Sequence, residues 1–450
     1  MSEWEGKDEA SNEVPEMQTS PEMSYAANEM DAHTASPREL AAPVAQTERI
    51  VAIDALRGFA LLGILIMNIR MMAGPFAQYG NPFAIPAAGG EERSNWLVFS
   101  IAHVLADMKM MTIFSMLFGA GIVIMAERQL AKGLGSIGLH YRRMWWLLVI
   151  GLIHAYLIWP GDILVIYAVC GAIVFCAWRF YIPVQIVLGA FLLLCGIGLN
   201  LGAGLTLDDW PPEAVDQMTR DWAPPPDVVE EQIAAYTGPI AGRLAEQGRM
   251  SLGWHTGGFV FFGFWRAAGL MLVGMGLYRL GVFSAKRSYR FYIGLTAIGV
   301  AIGLPLILWG LNRNLDDGFI FETAFFLNGQ FNYVGSLFIA MAWTGVIMLL
   351  VKLGAVKLLI SALSAVGQMA LTNYLMQSII CTTIFYGHGL GLFGEFTYLQ
   401  QFYVVLGVWA VELIWSPVWL KHFRFGPFEW LWRSMTYLNL QPMRRIESAA

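Results

Sequence analysis

Two stretches of this sequence place residues that move protons or hold anions inside otherwise apolar surroundings. The first is Gly151-Leu-Ile-His154-Ala-Tyr-Leu-Ile-Trp-Pro160-Gly161-Asp162-Ile-Leu-Val-Ile-Tyr167. Pro-Gly sets a tight reversal, so His154 near the end of one apolar segment can approach Asp162 at the head of the next. A carboxylate on one imidazole nitrogen orients the ring and raises its basicity, which is the arrangement of a general base. Asp162 is equally suited to cap the helix that follows it. The second stretch is Arg49-Ile-Val-Ala-Ile-Asp54-Ala-Leu-Arg57-Gly58. Asp54, Arg57 and Gly58 share one helical face, giving either a self-neutralised pair with a snorkelling arginine or a glycine-opened cationic niche for an anion.

Other polar residues fall where only apolar ones are expected. His103 and Asp107 are four apart and form a possible alternative dyad, with Lys109 beside them; an interfacial, amphipathic helix start accounts for them as well. Arg266 and Glu412 fall near the middle of long apolar runs, where an ionisable group costs a few kcal/mol (about 2.5–3.5) and is a functional candidate for substrate binding or coupling. Gly367-Gln368-Met-Ala-Leu-Thr372-Asn373-Tyr374-Leu-Met-Gln377-Ser378 carries pairs Gln368/Thr372 and Asn373/Gln377 at helical spacing, the pattern of interhelical hydrogen bonds. No Walker loop, HExxH helix or GxSxG elbow is present, and none of the four cysteines forms a metal-spaced cluster, so no metal is expected.

The elements that must position these groups follow from composition. Hydrophobic residues make up 57% of 450 and charged ones only 14%, which excludes an ordinary soluble domain and argues against a nucleic-acid partner. Against the roughly 20 apolar residues needed to cross a bilayer, ten spans are expected: 51–71, 100–126, 144–160, 162–179, 183–205, 256–279, 291–311, 331–351, 360–386 and 400–420. The fold class is therefore an all-α polytopic membrane bundle surrounded by lipid. Alternate loops carry Arg128, Lys132, Arg142, Arg143, Arg179, Arg279, Lys286, Arg287, Lys352, Lys357 and Lys421, so these loops and both termini are expected in the cytoplasm. Residues 1–48 are acidic and poor in aliphatics, predicting a disordered cytoplasmic tail, and 441–450 a second short tail. Between two five-helix halves lies an outer loop, 206–255, whose prolines are expected to break any early helix, with an amphipathic helix over 228–249.

The sequence resembles the YeiB-like bacterial membrane proteins, domain of unknown function 418. The resemblance rests on Leu-Arg-Gly-Phe-Ala-Leu-Leu-Gly-Ile-Leu at 56–65, Phe-Ser-Met-Leu-Phe-Gly at 114–119, and His154 through Gly161-Asp162-Ile-Leu to Tyr167-Ala168. Gly367-Gln368-Met-Ala-Leu-Thr-Asn373-Tyr374 and Gly426-Pro427-Phe-Glu429-Trp430-Leu-Trp-Arg433 complete it. It spans about 49–440 in order and implies a multi-pass protein of the bacterial cytoplasmic (inner) membrane. Gln368 stands where that family usually has Arg, which removes a charge from the position. The Asp-x-x-Arg-Gly opening is similar to that of membrane acetyltransferases of the heparan glucosaminide N-acetyltransferase type, which take acetyl-CoA on the cytoplasmic side and acetylate a sugar on the other.

That likeness implies an acyl-CoA donor and a glycan or small-molecule acceptor. Asp54, Arg57 and Gly58 would then sit at the cofactor, with His154 as base and Asp162 as its orienter. The alternative is a transporter or flippase for an amphipathic metabolite that uses Arg266 and Glu412 as its charges, with Asn373 and Gln377 nearby.

Overall fold

The computed structural model describes residues 50–445; the predicted tail 1–48 lies outside them, as do residues 446–450 of the second tail. The helices are α1 (Val51–Ala73), α2 (Arg93–Leu105), α3 (Lys109–Ala131), α4 (Ile137–Ile153), α5 (Leu164–Val174) and α6 (Ile182–Leu205). Then come α7 (Pro212–Trp222), α8 (Pro226–Thr237), α9 (Ile240–Gly253), α10 (Phe264–Arg279), α11 (Tyr289–Asp316) and α12 (Gly329–Leu353). The last four are α13 (Lys357–Gln368), α14 (Ala370–Phe385), α15 (Tyr398–His422) and α16 (Pro427–Tyr437). Wide π-turns join several of these, at His154–Ile158, Trp254–Gly263 and Glu322–Asn328. No strand occurs among the described residues, as an all-α bundle requires, because a lipid-facing backbone must satisfy its polar groups within each segment.

Every expected span is occupied by helix. Seven segments are long and apolar enough to cross a membrane, and the α13–α14 pair supplies an eighth if its two parts count as one. The chain is thus a multi-pass membrane protein. The remaining two expected spans are the α4–α5 hairpin, whose members are shorter.

Three expectations need correction. Span two is not one helix: α2 and α3 are separated at residues 106–108, where Met108 takes a left-handed conformation (φ 61°). Span nine bends by 85° between Gln368 and Ala370. The loop 206–255 is mostly helical, because Pro212 and Pro226 occupy first-turn positions that need no amide donor and therefore start helices instead of breaking them. The helix expected over 228–249 is interrupted at Gly238-Pro239, and α9 runs on through a π-turn into α10.

Packing is closest where glycines remove side chains. A β-carbon on Gly58 would overlap the Leu363 carbonyl, and one on Gly367 would overlap the Asp54 carbonyl, so α1 and α13 touch backbone to backbone. The same reciprocal notch, from Gly119 and Gly274, joins α3 to α10. The notch at Gly58 is therefore filled by a neighbouring helix and does not open onto a ligand.

Candidate functional site

The hairpin between α4 and α5 does what Pro160-Gly161 predicts. His154 Nδ1 lies 2.8 Å from Asp162 Oδ1, and both side chains are wholly buried. The other Asp162 oxygen accepts the Val165 amide at 2.8 Å, so this residue both caps the start of α5 and orients the ring. With Asp162 accepting, Nδ1 is the donor, and in the neutral ring Nε2 keeps its lone pair.

That lone pair meets a residue the sequence reading did not single out. Ser378 Oγ stands 2.9 Å from Nε2. Asp162, His154 and Ser378 thus form a buried chain of acid, imidazole and hydroxyl drawn from the turn before α5, the π-turn after α4, and α14. The wide turn at His154–Ile158 brings the ring across to α14, and the Tyr374 ring packs 5.1 Å from it. The buried indole N–H of Trp159, whose ring centre is 6.2 Å from that of His154, has no acceptor.

The α14 helix presents polar groups in every direction. Asn373 donates to Ser416 Oγ at 3.0 Å and accepts from Trp415, and Gln377 donates to Glu412 at 2.9 Å. The expected pairing of Gln368 with Thr372 does not form, since the bend separates them; Gln368 reaches Ser364 instead. Asn373 and Gln377 likewise bond to α15 rather than to each other. The start of α14 lies inside the protein, where its first amides would lack acceptors. Glu429 of α16 supplies them, accepting from Leu371 N (2.6 Å), Thr372 N (3.0 Å) and Thr372 Oγ1 (2.5 Å), and its charge suits the positive helix end.

At that end of the bundle Arg57 donates to Asp54 at 2.9 Å and to the Gly367 carbonyl at 3.4 Å. Its charge interacts with those of Arg143 on α4 and Arg433 on α16, both half-buried. Three arginines against Asp54 and Glu429 leave a positive excess. Arg143 and Arg433 were visible in the sequence only as positively charged loop and tail residues, because their spatial convergence depends on α16 folding back onto α4. A cavity of about 530 Å³, to which none of these charged residues contributes, is lined by Lys357, Ser361, Ser364, Gln368, Lys421 and Arg445, with apolar walls that include Val51 and Leu420.

The other predicted residues form a separate centre. His103 Nδ1 bonds Asp107 Oδ2 at 3.0 Å, so the dyad forms; it ties the last turn of α2 to the break before α3, with Asp107 buried and His103 half-buried. Lys109 is fully buried; it donates to the His103 carbonyl (2.6 Å) and to Asn332 (2.5 Å), and Asn332 in turn donates to Asp107 (2.8 Å). Arg266 does not meet Glu412. It donates to Thr112 (2.8 Å), Ser336 (2.6 Å) and the Tyr333 carbonyl (3.2 Å). A further buried arginine, Arg70, rests on Phe99 and bonds the carbonyls of Tyr79 and Phe99. No group of three or more His, Cys, Asp or Glu suited to a metal is found among the described residues.

A comparison with characterised families and curated sequences bears on this arrangement. Residues 277–439, which hold α13, α14, α15 and α16, match the family model described as "Protein of unknown function (DUF418)". The Escherichia coli K12 protein YeiB, described as uncharacterized, is 35% identical over 411 residues, covering 86% of this chain and 96% of that one.

This chain belongs to the DUF418 family.

A second DUF418 relative, the uncharacterized Bacillus subtilis protein YxaH, is 32% identical over 423 residues, covering 90% of this chain and 98% of its own length. A third, an uncharacterized 39.9 kDa protein of Bacillus acidopullulyticus, is 28% identical and covers 89% and 97%. No solved structure matches the chain.

Proposed function

We propose that this DUF418 protein is an acyltransferase of the bacterial inner membrane, passing an acyl group from cytoplasmic acyl-CoA to a hydroxyl or amine of a glycan or small metabolite across the bilayer. The observation that carries the reading is the buried imidazole held at Nδ1 by Asp162 with Nε2 turned to a hydroxyl, since that geometry serves proton removal from an attacking oxygen. The basic residues of alternate loops put the α1 start, and with it Arg57, Arg143 and Arg433, on the cytoplasmic side. Guanidinium groups are the natural partners of a donor's phosphates.

Distance supports the pairing of the two ends. Arg143 and His154 lie on one continuous helical run, 11 residues or roughly 16 Å apart at 1.5 Å per residue. Ser378 lies eight residues, about 12 Å, beyond the Glu429-capped start of α14. Helix α4 therefore runs from Arg143 to the His154 end, and α14 from the Glu429 cap to Ser378, a span suited to a long donor arm.

Acetyl-CoA titrated into the detergent-purified protein is expected to bind, with affinity reduced at least about tenfold in Arg57→Ala or Arg433→Ala, the loss of one charge-assisted contact. Wild-type protein that ignores acetyl-CoA ends this reading.

A further inference from the structure

We propose that Ser378 is the nucleophile of this transfer, so that the acyl group rests on the protein as an ester between two half-reactions. The inference rests on the acyl-transfer reading above and adds the residue that first receives the acyl group. It starts from the occupancy of His154. Both imidazole nitrogens are engaged, Nδ1 by Asp162 and Nε2 by Ser378 Oγ, and the ring is wholly buried. An external acceptor could not give its proton to Nε2 while that nitrogen holds the serine hydroxyl. The hydroxyl facing the base is the one already on the protein.

The remaining features of the chain fit the same role. Asp162 holds the ring through one oxygen while its second oxygen is fixed by the Val165 amide, so the carboxylate is anchored and the imidazole cannot swing to another partner without giving up its Nδ1 bond. A secondary contact from Ser378 Oγ to the Tyr374 carbonyl is longer, 3.4 Å, leaving Nε2 as the principal acceptor of the hydroxyl proton. The Trp159 indole N–H is buried with no acceptor, an expensive state for a donor, and its ring stands edge-on to His154. A carbonyl oxygen arriving at this site would satisfy it, and an oxygen gaining negative charge would satisfy it best.

The balanced steps are these. Ser378 Oγ attacks the carbonyl carbon of an acyl thioester while its proton passes to His154 Nε2; the C–S bond breaks, and the departing thiolate takes that proton as a free thiol. An acceptor hydroxyl or amine then gives its proton to Nε2 and attacks the ester carbonyl; the C–O bond to Ser378 breaks, and Oγ recovers the proton. Nothing is oxidised or reduced, and no further reactant is required.

Two probes test the nucleophile separately from the donor. A membrane-permeant alkyl fluorophosphonate reacts with an activated serine whatever its natural donor. Full-length wild-type protein is expected to carry the adduct on Ser378, located by peptide mass spectrometry, with labelling absent in Ser378→Ala and slowed at least about a hundredfold in His154→Gln, the lower end of what general-base assistance contributes. Acetyl-CoA labelled in the acetyl group should leave a hydroxylamine-labile acetyl ester on the same peptide. If the folded protein binds and consumes acetyl-CoA, yet Ser378 carries neither adduct and Ser378→Ala turns over normally, the nucleophile is refuted and the acyltransferase reading stands. A fluorophosphonate adduct on Ser378 in protein that does not bind acetyl-CoA keeps the nucleophile and removes the proposed donor. Absence of adduct, acetyl ester and acetyl-CoA binding in correctly folded wild-type protein removes both.

Discussion

A buried ammonium is tolerable only when every proton on it has an acceptor and an opposite charge is near. Lys109 approaches this condition with two acceptors, the His103 carbonyl and Asn332, and the Asn332 amide bridges it to Asp107 with bonds of 2.5 and 2.8 Å. The two charges are therefore coupled through a neutral relay and not by direct contact. Removing either one leaves the other in the interior without its counterpart, whereas removing both leaves a neutral site. Asp107→Asn and Lys109→Met are each expected to destabilise the protein, and the double variant to lose less than their sum, with a coupling of about 0.5–3 kcal/mol. Thermal unfolding of the four proteins in one detergent measures it; strictly additive losses would show that Asp107 and Lys109 act independently. Arg266 follows a different logic, because hydroxyls and a carbonyl, not a carboxylate, surround it. Cation–π contact with Tyr333 at 4.4 Å supplies part of the missing compensation.

Helices α1 and α13 are held together by shape before chemistry. Neither Gly58 nor Gly367 has room for a methyl group against the opposing backbone, whereas Gly121 on α3 has open space around it. Gly58→Ala and Gly367→Ala are expected to cost about 1–3 kcal/mol each by forcing the helices apart, and Gly121→Ala to be neutral or slightly stabilising. Equal melting temperatures for all three would contradict the backbone contact. At this scale the sequence was legible where partners are local. His154 and Asp162 are eight residues apart across a Pro-Gly turn, and Asp54 and Arg57 share one turn of α1, so their pairing follows from spacing. Ser378 is 224 residues from His154, and only the packing of α14 against the π-turn joins them. The bend after Gln368 carries no proline to announce it; the helix is broken by what it gains, since Glu429 can reach the amides of Leu371 and Thr372 only if they are released from the preceding turn. The broken second span was hidden for a similar reason, as the left-handed Met108 is held in place by a tertiary polar cluster around Asp107.

Across the whole molecule, the number of crossings determines where the chain ends lie. The α4–α5 hairpin contributes two crossings or none, so it cannot change the side on which the C-terminus emerges. The bent α13–α14 pair can: if it crosses, the total is even and the termini share a side, and if it turns back on itself they do not. The basic loops favour the first case. Reporter fusions should place both termini in the cytoplasm and residues 206–255 outside; a C-terminal reporter active on the outer side would make α13–α14 re-entrant. The overall architecture was readable because hydropathy and basic loops act at the length of a whole helix, while the convergence of Arg57, Arg143 and Arg433 depends on a short terminal helix folding back, which no local pattern encodes.

The Glu429 contact also orders events in time. Helix α14 can be threaded into the bilayer while the ribosome is still translating, but its first amides have no protein acceptor until α16 has been made and has docked. Ser378 hangs from that helix. A growing chain therefore carries its His154 and Asp162 pair long before it carries a hydroxyl fixed against them, and the reactive arrangement is completed only by a segment made after α15.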